Sequence, residues 1–215
     1  MKFYLSSYKF GTEDKKSILK EWIKNNDNKL VFISNSRDAR EETKEKFEKI
    51  ESDKNLLREI GFEIYNIDLK DYFGKSEKLE NDLSNFKSFC LIGGNVFVLR
   101  KAMALSGFDK FIEKRIYDDY LYIGYSAGIC LLGKTLEGLD LVDEPINPYT
   151  DEKALYDGLN ILDCTLVPHY KSNHPESEAI DKVVEYLESQ NIRYEVLHDG
   201  DVLITEFKKE KLTGK

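Results

Sequence analysis

Leu121-Tyr122-Ile123-Gly124-Tyr125-Ser126-Ala127-Gly128-Ile129-Cys130-Leu131-Leu132 runs from an apolar strand through a small-residue turn into the start of a buried helix. At its centre, Gly124-x-Ser126-x-Gly128 has the form of a nucleophile elbow. A serine forced into a tight strand-to-helix turn leaves no room for side chains two positions to either side. The turn lifts the hydroxyl above the sheet and places backbone N–H groups where an oxyanion could be held. The bare pattern also fits a βα turn whose serine only caps the helix. The strand before and the helix after favour Ser126 as a nucleophile.

Outward from this stretch, short apolar runs alternate with longer helical patterns. The strands are predicted at Lys2–Ser6, Leu30–Ser34, Phe62–Asp68, Ser88–Ile92 and Leu121–Tyr125. Ile18, Leu19, Trp22 and Ile23 form one helical stripe. Phe47, Ile50, Leu56, Leu57 and Ile60 form another on a charged helix that stops at Gly61. Strand–helix alternation of this kind builds a parallel sheet through right-handed crossovers, covered on both faces. The segment 133–157 is poorly periodic and is expected to hold loops and a short hairpin. Then come a strand at Cys164–Pro168, a helix from about Pro175 to Ser189, and strands near Tyr194–Leu197 and Asp201–Glu206. The last two read as a β-hairpin through His198-Asp199-Gly200.

Ligands in such sheets bind beyond the carboxyl ends of the strands. One such end is Leu91-Ile92-Gly93-Gly94-Asn95, with a helix starting near Val96. Its glycines permit a backbone whose N–H groups turn toward a neighbouring site, so Gly93 and Gly94 are candidates for an oxyanion hole shared with Ala127. Asn95 is expected to cap the helix or also to touch substrate. The loop lacks the pattern of a phosphate-binding P-loop.

A nucleophilic serine needs a base. Of the three histidines, His169 follows the strand-like run Thr165-Leu166-Val167-Pro168, at the edge where Ser126 is expected. His174 is expected to cap a helix or face solvent, and His198 to be structural. In the chain order serine–acid–histidine the orienting carboxylate lies between Ser126 and His169. Asp140, Asp143, Glu144, Asp151, Glu152 and Asp157 all fall there. Asp140, flanked by Leu139 and Leu141, is placed first on an expected short, partly buried strand, with Asp143 and Glu144 as close competitors.

Composition narrows the class. The 215 residues suit one domain with a substantial core. There are 32 basic against 40 acidic residues, a net charge of −8, which leaves no basic excess for nucleic acid. The lysine-rich stretches at Lys15–Lys16 and Lys208–Lys211 are interleaved with acids and read as solvated faces. No apolar run approaches a membrane span, and the N-terminus turns polar too early for a secretory signal. Cys90, Cys130 and Cys164 are read as buried reduced thiols of a cytoplasmic protein. No Cys-x-x-Cys or His-x-x-x-His spacing occurs, so no metal site is expected.

With Leu91-Ile92-Gly93-Gly94-Asn95, Gly124-Tyr125-Ser126-Ala127-Gly128 and Pro168-His169-Tyr170 in this order, the chain resembles the peptidase E family of serine peptidases, S51. The resemblance implies one domain over residues 1–215, built on an open, doubly wound, mostly parallel α/β sheet. That sheet is like those of class I glutamine amidotransferases and of the flavodoxin-like folds. It implies hydrolysis of short peptides, including dipeptides with N-terminal Asp, without metal or cofactor. Ser126 would attack, His169 would shuttle the proton, and the N–H groups of Gly94 and Ala127 would hold the oxyanion. The family's acid lies some 14 to 18 residues beyond the serine, a range that holds Asp140, Asp143 and Glu144. Basic groups recognise the aspartate in the dipeptidase branch. After His169 only Lys171 and His174 are near, so strict Asp-X specificity does not follow. An amidase or esterase on the same scaffold, or a silent binding protein, are the alternatives.

Overall fold

The computed structural model describes residues 1–207, and the lysine-rich stretch Lys208–Lys211 lies outside them. In chain order the elements are β1 (Lys2–Ser6), α1 (Glu13–Asn25), β2 (Lys29–Ile33), α2 (Lys44–Ile60), β3 (Glu63–Asn66), α3 (Ser76–Leu83), β4 (Ser88–Leu91), α4 (Val96–Ser106), α5 (Phe108–Lys114), β5 (Leu121–Tyr125), α6 (Ala127–Cys130), β6 (Thr165–Val167), α7 (Ser177–Ser189), β7 (Tyr194–Val196) and β8 (Val202–Glu206).

Six strands form the central sheet in the order β3-β2-β4-β5-β1-β8. All neighbours are parallel except β8, which runs antiparallel to β1 with Lys2 opposite Glu206 and Ser6 opposite Val202. The side-chain period of two sorts the strands onto two faces. Phe3, Leu5, Val31, Ile33, Phe89, Leu91 and Tyr122 point to one face, with α3, α4, α5 and α7 over them. Tyr4, Leu30, Phe32, Cys90, Ile92, Leu121 and Ile123 point to the other and pack against Leu19 and Trp22 of α1 and Leu57 and Ile60 of α2. Burial on both faces explains why these strands read as continuous apolar runs rather than alternating ones. The architecture is the mostly parallel α/β sheet with flanking helices that the sequence predicts.

Three details differ from expectation. Phe47 is 56 % exposed, so the buried stripe of α2 is carried by Leu57 and Ile60. Leu139–Leu141 is a 3-10 turn rather than a strand, and the segment 133–157 contributes an isolated antiparallel bridge between Thr135 and Asp157. The expected hairpin of the last two strands does not form. β7 pairs in parallel with β6 in a separate two-stranded sheet, while β8 joins β1. The connection His198–Asp201 therefore crosses from one sheet to the other, and this crossing decides the candidate site.

Candidate active site

Ser126 sits at φ 49°, ψ −120°, a backbone conformation that costs a non-glycine residue about 1–3 kcal/mol. The neighbouring glycines enforce it by close packing. A Cβ on Gly124 would lie 2.6 Å from the Gly128 carbonyl oxygen, and one on Gly128 would lie 2.2 Å from the Leu91 carbonyl oxygen. The Tyr122 hydroxyl donates to that Gly128 carbonyl at 2.6 Å and holds the far side of the turn. The Ser126 side chain makes no capping bond to α6, so its hydroxyl is not consumed by the helix. Because α6 is a single turn, any oxyanion stabilisation here comes from individual N–H groups rather than a macrodipole.

β4 lies beside β5, so the Gly93-Gly94 turn abuts the elbow. A Cβ on Gly93 would stand 2.6 Å from the Tyr125 ring and 3.0 Å from the Ser126 Cβ. Gly94, at φ 154°, passes so close to Ser36 that a Cβ would meet its carbonyl oxygen at 2.5 Å. The Gly93 carbonyl accepts from Ser36 Oγ (3.1 Å) and Arg37 Nε (3.0 Å), which fixes the loop's orientation. Among the described residues, the N–H groups of Gly94 and Ala127 make no hydrogen bond. Asn95 is committed elsewhere. Its side chain caps α4 by accepting from the Val98 N–H (3.0 Å) and donates to the Glu144 carbonyl (2.7 Å). The cap expected of Asn95 is therefore present.

His169 is buried and also has a positive φ of 64°. Its Nδ1 meets Asp199 Oδ1 at 2.7 Å. The buried Ser7 hydroxyl joins both residues: it accepts the His169 backbone N–H at 2.8 Å and donates to Asp199 Oδ1 at 3.1 Å. Ser172 Oγ accepts the Asp199 backbone N–H at 2.8 Å. Burial lowers the His169 pKa below the ordinary histidine value, and the Asp199 hydrogen bond partly opposes that shift.

The carboxylate against the imidazole is thus Asp199, not Asp140. Asp140 is exposed on the Leu139–Leu141 turn and lies near Tyr156. Asp143 accepts the Val96 N–H at 2.8 Å, and burial pushes its carboxyl up to about 7. Glu144 is exposed and offers its carbonyl to Asn95. The physical reason is the sheet crossing. The Leu197 N–H bonds to Val167, the Tyr170 N–H to Leu197, and the Ser7 N–H to Asp201, so residue 199 is held between the ends of β6 and β1.

Ser126, His169, Gly93 and Gly94 line one cavity of about 220 Å³. Its remaining wall carries four cations, Lys9, Arg37, Arg40 and Lys49, against two carboxylates, Asp53 and Glu176, together with Tyr8, Ser52, Tyr125 and His174. Arg37 is held rigidly. Its Nη2 bonds to Asp53 Oδ2 (3.0 Å) and the Tyr125 hydroxyl (2.9 Å), while its buried Nη1 has no hydrogen-bond partner among the described residues. The Tyr125 hydroxyl also donates to Asp53 Oδ2 at 2.7 Å. Burial raises the Asp53 pKa, and the Tyr125 and Arg37 bonds act against it. Lys9 and Arg40 make no ion pair among the described residues.

The sequence profile of peptidase family S51 matches residues 4–212. The chain belongs to peptidase family S51. It is 28 % identical over 138 residues to the uncharacterized peptidase Lin0382 of Listeria innocua serovar 6a, covering 63 % of this chain and 62 % of the relative. It is 29 % identical over 142 residues to the uncharacterized peptidase Lmo0363 of Listeria monocytogenes serovar 1/2a, covering 63 % of each. These matched segments therefore span less than two thirds of the relatives' length. Two crystal structures share the fold. A candidate peptidase E protein from Listeria monocytogenes EGD-e superposes with a TM-score of 0.70 at 21 % identity, over 96 % of this chain and 98 % of that one. A peptidase from an acI-B1 Actinobacterium gives 0.69 at 13 % identity, over 95 % and 83 %.

For this S51 chain, sequence reasoning missed the site residues contributed by the ends of β1 and β2. The rule about carboxyl ends applies equally to Ser6-Ser7-Tyr8-Lys9 and Ser34-Asn35-Ser36-Arg37, and it would have flagged Ser7, Lys9 and Arg37. The basic wall comes from these N-terminal segments rather than from residues after His169. His174, expected at a cap or in solvent, instead stacks on His169 with ring centroids 3.8 Å apart and planes 8° off parallel. Tyr8 stands edge-on to both rings, at 6.0 and 5.7 Å. His174 and Glu176 bring metal-ligating atoms within 4.8 Å of those of His169, although no familiar ligand spacing marks them in sequence. His198 is exposed beside Asp201.

Proposed function

We propose that this chain is a serine peptidase of short peptides working through an acyl-enzyme, with Ser126 as nucleophile, His169 as base and Asp199 as the orienting acid. The observation that carries the reading is the convergence of a strained, uncapped serine and a carboxylate-bound histidine on one cavity. Asp199 accepts a hydrogen bond from the His169 Nδ1–H, which fixes the tautomer whose Nε2 lone pair takes the Ser126 proton as Oγ adds to the scissile carbonyl. The tetrahedral oxyanion is received by the N–H groups of Gly94 and Ala127. Collapse expels the amine, protonated by His169, and water attacks the acyl-enzyme by the same route in reverse.

The cationic wall supports a substrate with an acidic group, consistent with peptides bearing an N-terminal Asp. A cavity of about 220 Å³ is smaller than the roughly 300–1,000 Å³ of sites for drug-sized ligands and fits a residue or two rather than a polymer. The three unpaired thiols suit a reducing, cytoplasmic setting. Among the described residues, no helix is long and apolar enough to cross a membrane.

The test is hydrolysis of a panel of dipeptides and p-nitroanilides varied at the N-terminal residue, beside Ser126→Ala. The expected result is preferential cleavage after acidic residues, abolished in the variant. Activity that persists in Ser126→Ala overturns the serine mechanism. Fluorophosphonate labelling of Ser126 without peptide cleavage would move the assignment to an amidase or esterase.

A further inference from the structure

We propose that His174 is a positioning residue for the base: its ring, stacked on His169, keeps that imidazole turned with Nδ1 to Asp199 and Nε2 toward Ser126. The effect on rate rests on the peptidase reading; the alignment of the ring does not. The two imidazoles have centroids 3.8 Å apart and planes 8° from parallel, which is van der Waals contact across a whole ring face. Stacked in this way, their in-plane lone pairs run side by side and do not converge on one ion, so the pair is a packing contact rather than a chelate.

Each ring is tethered at Nδ1 by a different part of the chain. His169 Nδ1 meets Asp199 Oδ1 at 2.7 Å. His174 Nδ1 accepts the Glu176 backbone N–H at 3.3 Å, which requires the neutral ring protonated at Nε2. One hydrogen bond does not fix the plane of a histidine, whose terminal torsion has broad wells. The backbone gives little guidance either, because His169 (φ 64°) and Lys171 (φ 44°) are both left-handed and the strand has ended. The plane of His169 is therefore set by what covers its face, and His174 is a cover that is itself held. The stretch that carries His174 also supports the acid: the Asp199 N–H donates to Ser172 Oγ (2.8 Å), and the Ser172 N–H donates to Ser177 Oγ (3.2 Å) at the start of α7.

Proton transfer requires Nε2 to stay within hydrogen-bond reach of Oγ, and a displacement of about 1 Å costs on the order of 10²-fold in rate. His174 acts through His169 rather than on the reacting atoms, so its contribution falls on kcat and not on KM. The same cover keeps water from the imidazole, and burial is what holds the His169 pKa below its ordinary value.

The experiment compares the full-length wild type with His174→Phe, His174→Asn and His174→Ala. The readouts are peptide hydrolysis, the rate of fluorophosphonate labelling at Ser126, and the proton NMR signal of the His169 Nδ1–H, assigned by its loss in His169→Gln. Phenylalanine keeps the ring face without the Nδ1 acceptor, whereas asparagine keeps an acceptor for the Glu176 N–H without the ring. The expected result is a fall of about 10–100-fold in kcat and labelling rate in His174→Ala and His174→Asn, with KM within about twofold. His174→Phe should stay within about threefold of wild type. The Nδ1–H signal should be sharp in wild type and His174→Phe and broadened by exchange in the other two. Wild-type rates in His174→Ala overturn the proposal. Rescue by asparagine but not by phenylalanine also overturns it, since the residue would then be a loop tether only. If the wild type neither labels nor cleaves, the expected pattern of Nδ1–H signals upholds the positioning and sinks the serine mechanism instead. A signal unchanged in His174→Ala overturns the positioning whatever the activity.

Discussion

His169 Nδ1 and Asp199 Oδ1 meet at 2.7 Å across 30 residues of chain, with the Ser7 hydroxyl bonded to both residues. Without the carboxylate, the imidazole loses the partner that fixes its tautomer. Asp199→Asn is expected to lower kcat by about 10³–10⁴-fold. Asp140→Asn, on an exposed turn, should leave kcat within about twofold. Steady-state kinetics of the two variants side by side decide between the carboxylates, and a large loss in Asp140→Asn alone would refute the assignment.

The elbow makes a prediction about stability. Neither Gly124 nor Gly128 needs a positive φ; both are glycine because a Cβ would strike backbone oxygen. Gly128→Ala, with its Cβ at 2.2 Å from the Leu91 oxygen, forces β4 and α6 apart and should cost about 1–3 kcal/mol or more. Gly74→Ala, where nothing lies within 4 Å but φ is 69°, should cost less. Urea denaturation of both variants measures the difference.

Arg37 and Asp53 form an ion pair with side chains 11 % and 2 % exposed. Arg37→Met removes the guanidinium and leaves a buried carboxylate, a loss of roughly 3–5 kcal/mol. Adding Asp53→Asn removes the stranded charge, so the double variant should recover part of that stability. Additive losses in the double-mutant cycle would contradict the coupling.

The uncommitted cations bear on specificity. Among the described residues, Lys9 and Arg40 line the cavity without ion-pair partners of their own. Arg40→Gln is expected to raise KM for peptides with an acidic N-terminal residue by about 3–10-fold, with little effect on neutral peptides. Equal effects on both classes would remove Arg40 from acidic-group recognition.

Asp143 sets a pH dependence. Burial pushes its carboxyl up to about 7, while the unfolded chain titrates near pH 3.9. Between those values the folded state holds a proton that the unfolded state releases, so this residue's contribution to stability falls as pH rises from about 4 to about 7. Asp143→Asn should therefore melt higher than wild type at pH 8, by an amount on the order of a few kcal/mol, and match it near pH 4. A constant difference across that range would refute the linkage.

The sequence by itself determined the elbow, the strand–helix rhythm and the sites of Ser126, His169 and the glycine turn. Each is written locally, in apolar runs of strand length and in glycines that sterics demand within a few residues. It did not determine the partner of His169. The stretch His198-Asp199-Gly200 has the composition of a hairpin turn, and only the pairing of β7 with β6 and β8 with β1 turns it into a bridge between sheets. The cationic wall was hidden for the same reason. Lys9, Arg37 and Arg40 follow strands far from the elbow in sequence, and the order β2-β4-β5-β1 brings those strand ends around Ser126. Turn chemistry is a property of neighbouring residues, whereas strand order is set by burying both faces of the sheet at once, and the candidate site was assembled by the second.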